Sequence, residues 1–176
     1  MTENFLPSPQ LNSIIEATNS AELTISGFAP SNHEIEIQLN SDPLIICQSD
    51  AGGKFEQKIK LTLGDNEIVA YTKDKDTTSQ PSKHLSIYYN DIPPELEITE
   101  PEADKLFKRN PLIEIKGKTN KNCRVYINNH MVVTDNEGSF TYQTKLNEGE
   151  NIFKVSSIDL ANNKSEKEFK LRFQKY

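Results

Sequence analysis

Tryptophan, long apolar runs and an excess of positive charge are all missing from this sequence, and cysteine is scarce. Cys47 and Cys123 alone cannot build a disulfide framework, so they leave the redox compartment open. The longest aliphatic runs are short, such as residues 44–46, and a membrane-spanning helix needs roughly 20 apolar residues. Because the net charge of −6 repels phosphate backbones and anionic lipid headgroups, we expect neither nucleic acid nor membrane as a partner.

Catalytic motifs are also missing. The sequence has no nucleophile elbow, no H-E-x-x-H pair and no glycine-rich phosphate loop. The three histidines are far apart in the chain: His33 opens a predicted strand, His84 precedes another, and His130 is expected in a hairpin turn. Catalysis needs converging titratable groups, so we predict that the chain is not an enzyme and binds no cofactor.

An internal repeat is the strongest positive signal. Each half carries, in the same order, an Ile-x-Gly segment, an alternating apolar run, an Asp-x-x-Gly-x-Phe turn and a Leu-x-x-Gly-x-Asn turn. These lie at residues 25–27, 33–37, 50–55 and 61–66 of the first half and at residues 115–117, 123–127, 135–140 and 146–151 of the second. So many matches in one order indicate a duplicated module.

The period of each copy is that of a β-strand. Apolar side chains alternate with polar ones through Ile35 and Ile37 in the first copy and through Val125 and Ile127 in the second, and no window shows a helical period. With short strands and regular turns, this predicts an all-β chain of two tandem immunoglobulin-like β-sandwiches of about seven strands each. The predicted boundaries are a flexible segment 1–8, domain 1 at 9–90, a proline-containing linker at 91–94 and domain 2 at 95–176.

Two segments carry a family resemblance. Residues 149–163 resemble the closing strands of bacterial Ig-like repeats, and residues 94–101 resemble their opening strand, including the kind first described in glucodextranase. The sequence departs from the usual pattern at Asn162, where the family has glycine, and at residues 75–78 of the first copy. The resemblance implies an extracellular or cell-surface bacterial protein and no fixed activity, because a sandwich fold does not determine function.

Two kinds of ligand site remain open at this point. Tyr71 and Tyr88 are expected on the outward face of two neighbouring strands of domain 1, where an exposed aromatic pair can stack on sugar rings or simply pack across the strands. Asp91 in the linker, with Asp74 and Asp76 at the same end of domain 1, offers oxygens for calcium, but the cluster is too sparse to predict a metal. We therefore predict no metal ligand and keep the tyrosines as the candidate platform.

Two functions follow as hypotheses. The first is a non-catalytic spacer, stalk or presentation segment of a bacterial surface or secreted protein, expected to be monomeric in isolation. The alternative is an adhesion module that binds a cell-surface glycan or protein through the exposed sheet of domain 1. The first residues of the sequence do not resemble a signal peptide, so the chain is either cytosolic or part of an exported protein whose signal or anchor lies outside it.

Overall fold

The computed structural model describes residues 6–175, so residues 1–5 of the segment predicted to be flexible lie outside the described part. The chain divides into two compact units, Met1–Asp91 and Ile92–Tyr176. All regular structure within the described residues is β-strand, which confirms the predicted all-β class. That part of the chain contains no helix long and apolar enough to cross a membrane.

Unit 1 is a sandwich of two sheets. Its strands are β1 (Gln10–Leu11), β2 (Ala17–Thr18), β3 (Glu22–Phe28), β4 (Glu34–Leu39), β5 (Ile45–Gln48), β6 (Lys54–Lys60), β7 (Gly64–Asp74), β8 (Thr77–Thr78) and β9 (Leu85–Tyr89). One sheet has the order β1-β3-β6, and the other has the order β2-β9-β7-β4-β5 with β8 paired to β7. The short strand β2 runs parallel to β9, whereas the other pairs are antiparallel.

Unit 2 repeats this architecture. Its strands are β10 (Leu96–Glu100), β11 (Leu106–Lys108), β12 (Leu112–Thr119), β13 (Arg124–Ile127), β14 (His130–Val132), β15 (Ser139–Lys145), β16 (Gly149–Ile158) and β17 (Lys164–Gln174). The sheets have the orders β10-β12-β15 and β11-β17-β16-β13-β14, and β11 runs parallel to β17. The second sheet of each unit therefore has the same order of equivalent strands.

Each unit has its own apolar core between its sheets, built from the inward positions of the alternating pattern. Phe55 and Ile35 are among the buried side chains of unit 1, and Phe140 and Val125 occupy the equivalent places in unit 2. Unit 2 also contains the stacked pair Phe153 and Phe169, with ring centroids 5.4 Å apart. The side chains that the alternating pattern predicts to point inward are therefore buried in both copies, which confirms the prediction.

One glycine–phenylalanine pair explains two of the repeated motifs. Gly27 on β3 lies opposite Phe55 on β6, and Gly117 on β12 lies opposite Phe140 on β15. A Cβ on Gly27 would collide with the carbonyl oxygen of Gln10 and would lie 2.9 Å from the Phe55 ring. Only glycine allows the neighbouring strand and the aromatic ring to approach this closely, so the Ile-x-Gly and Gly-x-Phe motifs form one packing unit.

Candidate functional site

The aspartates of the Asp-x-x-Gly-x-Phe motif hold their own turns. Asp50 Oδ1 accepts hydrogen bonds from the N–H groups of Gly52 and Lys54, each at 2.8 Å. In the second copy, Asp135 Oδ1 accepts them from the N–H groups of Glu137 at 2.9 Å and Ser139 at 2.8 Å. The backbone donors of Ser139 and Glu137 lower the pKa of Asp135. These carboxylates therefore form part of the fold of each copy.

The asparagine side chain of the Leu-x-x-Gly-x-Asn motif likewise forms hydrogen bonds with backbone groups of its own turn. Asn66 is fully buried, its Nδ2 donates to the carbonyls of Thr62 (2.7 Å) and Gly64 (3.0 Å), and its Oδ1 accepts from Thr62 N–H at 2.9 Å. Asn151 makes the same bonds, to the backbone of Asn147 and Gly149. An asparagine is required because the turn needs a donor and an acceptor on one short side chain.

The hydroxyl groups between the sheets differ between the copies. In unit 2, Thr119 Oγ1 donates to the carbonyl of Glu95 and lies 2.6 Å from Ser157 Oγ. In unit 1, Ala29 occupies the place of Thr119, and Thr72 occupies the place of Ser157. Thr72 is fully buried and its Oγ1 has no hydrogen-bond partner among the described residues. The Thr72 hydroxyl has no partner because Ala29 lacks the hydroxyl that Thr119 provides in unit 2.

The candidate platform residues Tyr71 and Tyr88 do not come together. Both lie on the outward face of the sheet, as predicted, and their strands β7 and β9 are neighbours. However, Tyr88 lies opposite Asp65 of β7, and Tyr71 is six residues further along that strand, about 20 Å away at the usual rise per residue. Tyr88 is 42% exposed and Tyr71 is half-buried. The expectation of an adjacent pair was wrong because alternation predicts the face of a residue but not its register.

The acidic residues considered for calcium are also separated. Asp91 follows β9 and its Oδ2 accepts a hydrogen bond from the hydroxyl of Tyr89 at 2.9 Å, which raises the pKa of Tyr89. Tyr89 lies opposite Gly64, the first residue of β7, whereas Asp74 is the last residue of that 11-residue strand. Asp91 and Asp74 therefore lie at opposite ends of β7, about 30 Å apart, and the expectation that they share one end was wrong.

Metal-ligating and nucleophilic side chains are dispersed. No group of three or more His, Cys, Asp or Glu within residues 6–175 is arranged to hold a metal ion. His33 is half-buried, with its Nδ1 2.9 Å from the carbonyl of Ser31, as expected of a structural residue. His130 is the first residue of β14, and the predicted hairpin turn is formed by Asn128 and Asn129, both with positive φ.

Both cysteines are free thiols. Cys123 is buried, with 5% of its surface exposed, and its Sγ lies 3.8 Å from the carbonyl oxygen of Lys121. Cys47 on β5 is half-buried, and burial raises the pKa of its thiol. The environment of Cys47 therefore disfavours the reactive thiolate.

One surface feature was not recognised from the sequence. Strand β5 is at the edge of its sheet, and its outward side chain Ile46 is 58% exposed beside Leu44, which is 43% exposed. The signal that could have identified the edge is the absence of any charged residue in positions 43–49.

Comparison with known proteins places this architecture among modular sandwiches. No model of a known protein family matches the sequence. Bacillopeptidase F of Bacillus subtilis (strain 168) is 25% identical over 150 residues, which are 85% of this chain and 10% of that protein. The chain thus spans about a tenth of the length of the curated relative that it matches.

Two solved structures share the fold over nearly the whole chain. The fibronectin(III)-like modules of Clostridium thermocellum CbhA match with a TM-score of 0.60 and 16% identity, covering 94% of this chain and 93% of that one. A fragment of titin with three immunoglobulin domains matches with a TM-score of 0.61 and 10% identity, covering 96% of this chain and 64% of that one. At such low identity these matches show the fold, which is a tandem pair of immunoglobulin-like or fibronectin III-like sandwiches.

Proposed function

We propose that this chain is a pair of bacterial Ig-like repeats, of the kind first described in glucodextranase, that acts as a non-catalytic extracellular spacer or presentation segment. The observation that carries the proposal is the use of the repeated polar residues. The side chains of Asp50, Asp135, Asn66 and Asn151 each form hydrogen bonds with the backbone of their own turns. The repeated polar residues therefore maintain the fold of each copy, and a second folded copy lengthens the protein by one module.

Relatives support a modular role. The match to Bacillopeptidase F covers only 10% of that protein, as expected of a repeat that recurs inside longer proteins. The net charge of −6 supports a segment that binds neither nucleic acid nor anionic membrane, and we take the isolated segment to be a monomer.

The alternative, adhesion through the outward sheet of domain 1, is favoured by one observation, the exposed side chains Tyr88 and Ile46 on that sheet. The distance between Tyr71 and Tyr88 counts against a glycan stacked on both rings. A protein partner is therefore the stronger form of this alternative.

A replacement experiment separates the two functions. In the full-length protein that carries this segment, both units are exchanged for two unrelated immunoglobulin-like sandwiches of the same length. A spacer predicts that surface display and the activity of the flanking domains are retained, whereas an adhesion module predicts that binding to cells or matrix is lost. Antibody labelling of intact cells tests the extracellular location, and absence of labelling until the cells are lysed would contradict it.

A further inference from the structure

Strand β5 is a short edge strand without charged side chains, and the nearest proline, Pro43, lies two residues before it. Native edge strands are shielded by charged side chains, proline or bulges, because their free backbone groups otherwise pair with other chains. The opposite sheet of the same unit follows this rule, since edge strand β6 exposes Lys54, Glu56, Lys58 and Lys60 in alternation. Residues 43–49 around β5 carry no charge at all.

The backbone of β5 is available for pairing. Its inner side pairs with β4 in antiparallel register, and the N–H of Ser49 donates to the carbonyl of His33. Because hydrogen-bonded and non-hydrogen-bonded pairs alternate in such a ladder, the backbone groups of Ile46 and Gln48 point away from β4. No other strand within residues 6–175 pairs with this side of β5.

The same edge is uncharged in the second copy. Strand β14 is at the corresponding edge of unit 2, and residues 125–134 contain no lysine, arginine, aspartate or glutamate. Met131, which lies opposite Tyr126, is 65% exposed, and Val133 beyond the strand is 87% exposed. The two edge strands differ in sequence, but both are uncharged and expose apolar side chains.

We propose that the β5 edge binds an extended polypeptide segment of a partner protein, which adds to the sheet as a further strand. The segment carries apolar side chains at alternate positions, to cover Leu44 and Ile46, and basic side chains at the others. This form of recognition derives affinity from main-chain hydrogen bonds and specificity from the alternate side chains. The inference goes beyond the spacer role and does not depend on it.

Charge identifies the partner as basic. Unit 1 has 6 lysine and arginine residues against 13 aspartate and glutamate residues, a net charge of −7, whereas unit 2 has 14 against 13, a net charge of +1. Asp42 and Asp50 flank the uncharged run, whereas Glu36, opposite Ile46 on β4, is already paired with Lys73 at 3.7 Å. An acidic surface around an uncharged strand attracts a basic segment and repels an acidic one.

A second copy of this chain fits the edge less well. Two copies of unit 1 would each bring a net charge of −7 to the contact. A strand of four residues also buries far less than the roughly 800 Å² per partner of a stable protein interface. A basic peptide avoids the repulsion between like charges, because it has the opposite charge.

The test uses the full 176-residue chain and a fluorescent decapeptide of alternating valine and lysine. We expect saturable binding by fluorescence anisotropy, weakening as salt is raised, with backbone amide shifts of Ile46 and Gln48 in NMR spectra. An otherwise identical valine–glutamate peptide should bind at least about tenfold more weakly. A valine–lysine peptide with N-methylated alternate amides should not bind, because it cannot form the ladder.

Two matched variants locate the site. Ile46→Lys places a charge on the edge, and Leu63→Lys places the same charge on a side chain of the same unit that is 62% exposed and lies outside the strands. We expect Ile46→Lys to weaken peptide binding at least about tenfold and Leu63→Lys less than twofold, with unchanged thermal unfolding in both. Absence of saturable binding, equal losses in the two variants, or a concentration-dependent dimer with the same amide shifts and no peptide would each overturn the proposal.

Discussion

At the residue scale, the two copies differ in the hydrogen bonding of a buried threonine hydroxyl. Each copy therefore serves as the control for the other. Thr72 in unit 1 buries a hydroxyl group without a partner, whereas Thr119 in unit 2 buries one that is bonded to Glu95 and lies beside Ser157. A buried polar group without a hydrogen bond lowers stability, and so does the loss of one member of a bonded pair. The same substitution should therefore lower the stability at Thr119 but not at Thr72.

We predict that Thr72→Val leaves the free energy of unfolding unchanged or raises it by up to about 1 kcal/mol, and that Thr119→Val lowers it by about 1–3 kcal/mol. Urea denaturation of each variant measures both values. A loss of stability in Thr72→Val as large as that in Thr119→Val would show that the Thr72 hydroxyl has a partner after all, such as an ordered water molecule.

Asp135 makes the stability of unit 2 depend on pH. The N–H groups of Ser139 and Glu137 hold the pKa of this carboxyl below its ordinary value, which in an unfolded chain is about 3.9. A lowered pKa in the folded state contributes stability that is present above the unfolded value and is lost as the pH falls through the folded value. Asp135→Asn keeps an acceptor oxygen for both bonds but removes the charge.

We therefore predict that the loss of stability of unit 2 below about pH 4 is smaller in Asp135→Asn than in the natural sequence. Glu102→Gln, which removes an exposed acid of the same unit, serves as the control and should keep the natural acid profile. Unfolding midpoints measured between pH 2 and pH 7 give the comparison. Identical acid profiles for Asp135→Asn and the natural sequence would contradict the prediction.

At the scale of the element, the glycine–phenylalanine pairs should be intolerant of any side chain. A methyl group on Gly27 would collide with the Gln10 carbonyl and the Phe55 ring, both of which are held by paired strands. Gly52 lies in a turn of the same unit, where an added Cβ would meet only the Asp50 carboxylate at 3.3 Å. We predict that Gly27→Ala lowers the free energy of unfolding by about 3 kcal/mol and Gly52→Ala by less than about 1 kcal/mol, as measured by denaturant titration. Equal effects would show that strand β1 yields to the methyl group.

The sequence could predict those elements whose pattern is periodic. Inward residues such as Ile37 and Leu171 follow from alternation, because a strand places every second side chain on one face. Strands β2 and β11, with two and three residues, are too short to show a period, and each pairs in parallel with the last strand of its own unit. For the same reason the tyrosines were assigned to the right face but the wrong neighbours, because register along paired strands is set by the whole sheet.

At the scale of the whole molecule, the two units have separate cores with different contents. Buried apolar side chains within the described residues form one cluster in each unit, and the clusters share no member. The core of unit 2 contains Phe140, Phe153, Phe169 and Phe173, whereas Phe55 is the one phenylalanine in the cluster of unit 1. Phenylalanine buries a large apolar area, and unit 1 also contains the orphaned hydroxyl described above. We infer that unit 2 is the more stable of the two.

We predict that residues 1–91 and 92–176, produced separately, each fold and unfold cooperatively, and that unit 2 has the higher urea midpoint. Each unit has its own pair of sheets and its own apolar core, which is what an independently folding domain requires. Far-ultraviolet circular dichroism and urea titration of the two fragments, beside the full chain, give the comparison. In the full chain, Gly27→Ala should lower only the midpoint of the less stable transition. A fragment that binds hydrophobic dyes and lacks a cooperative transition would show that its core is not sufficient, and a higher midpoint for unit 1 would show that the additional phenylalanines do not decide the order of stability.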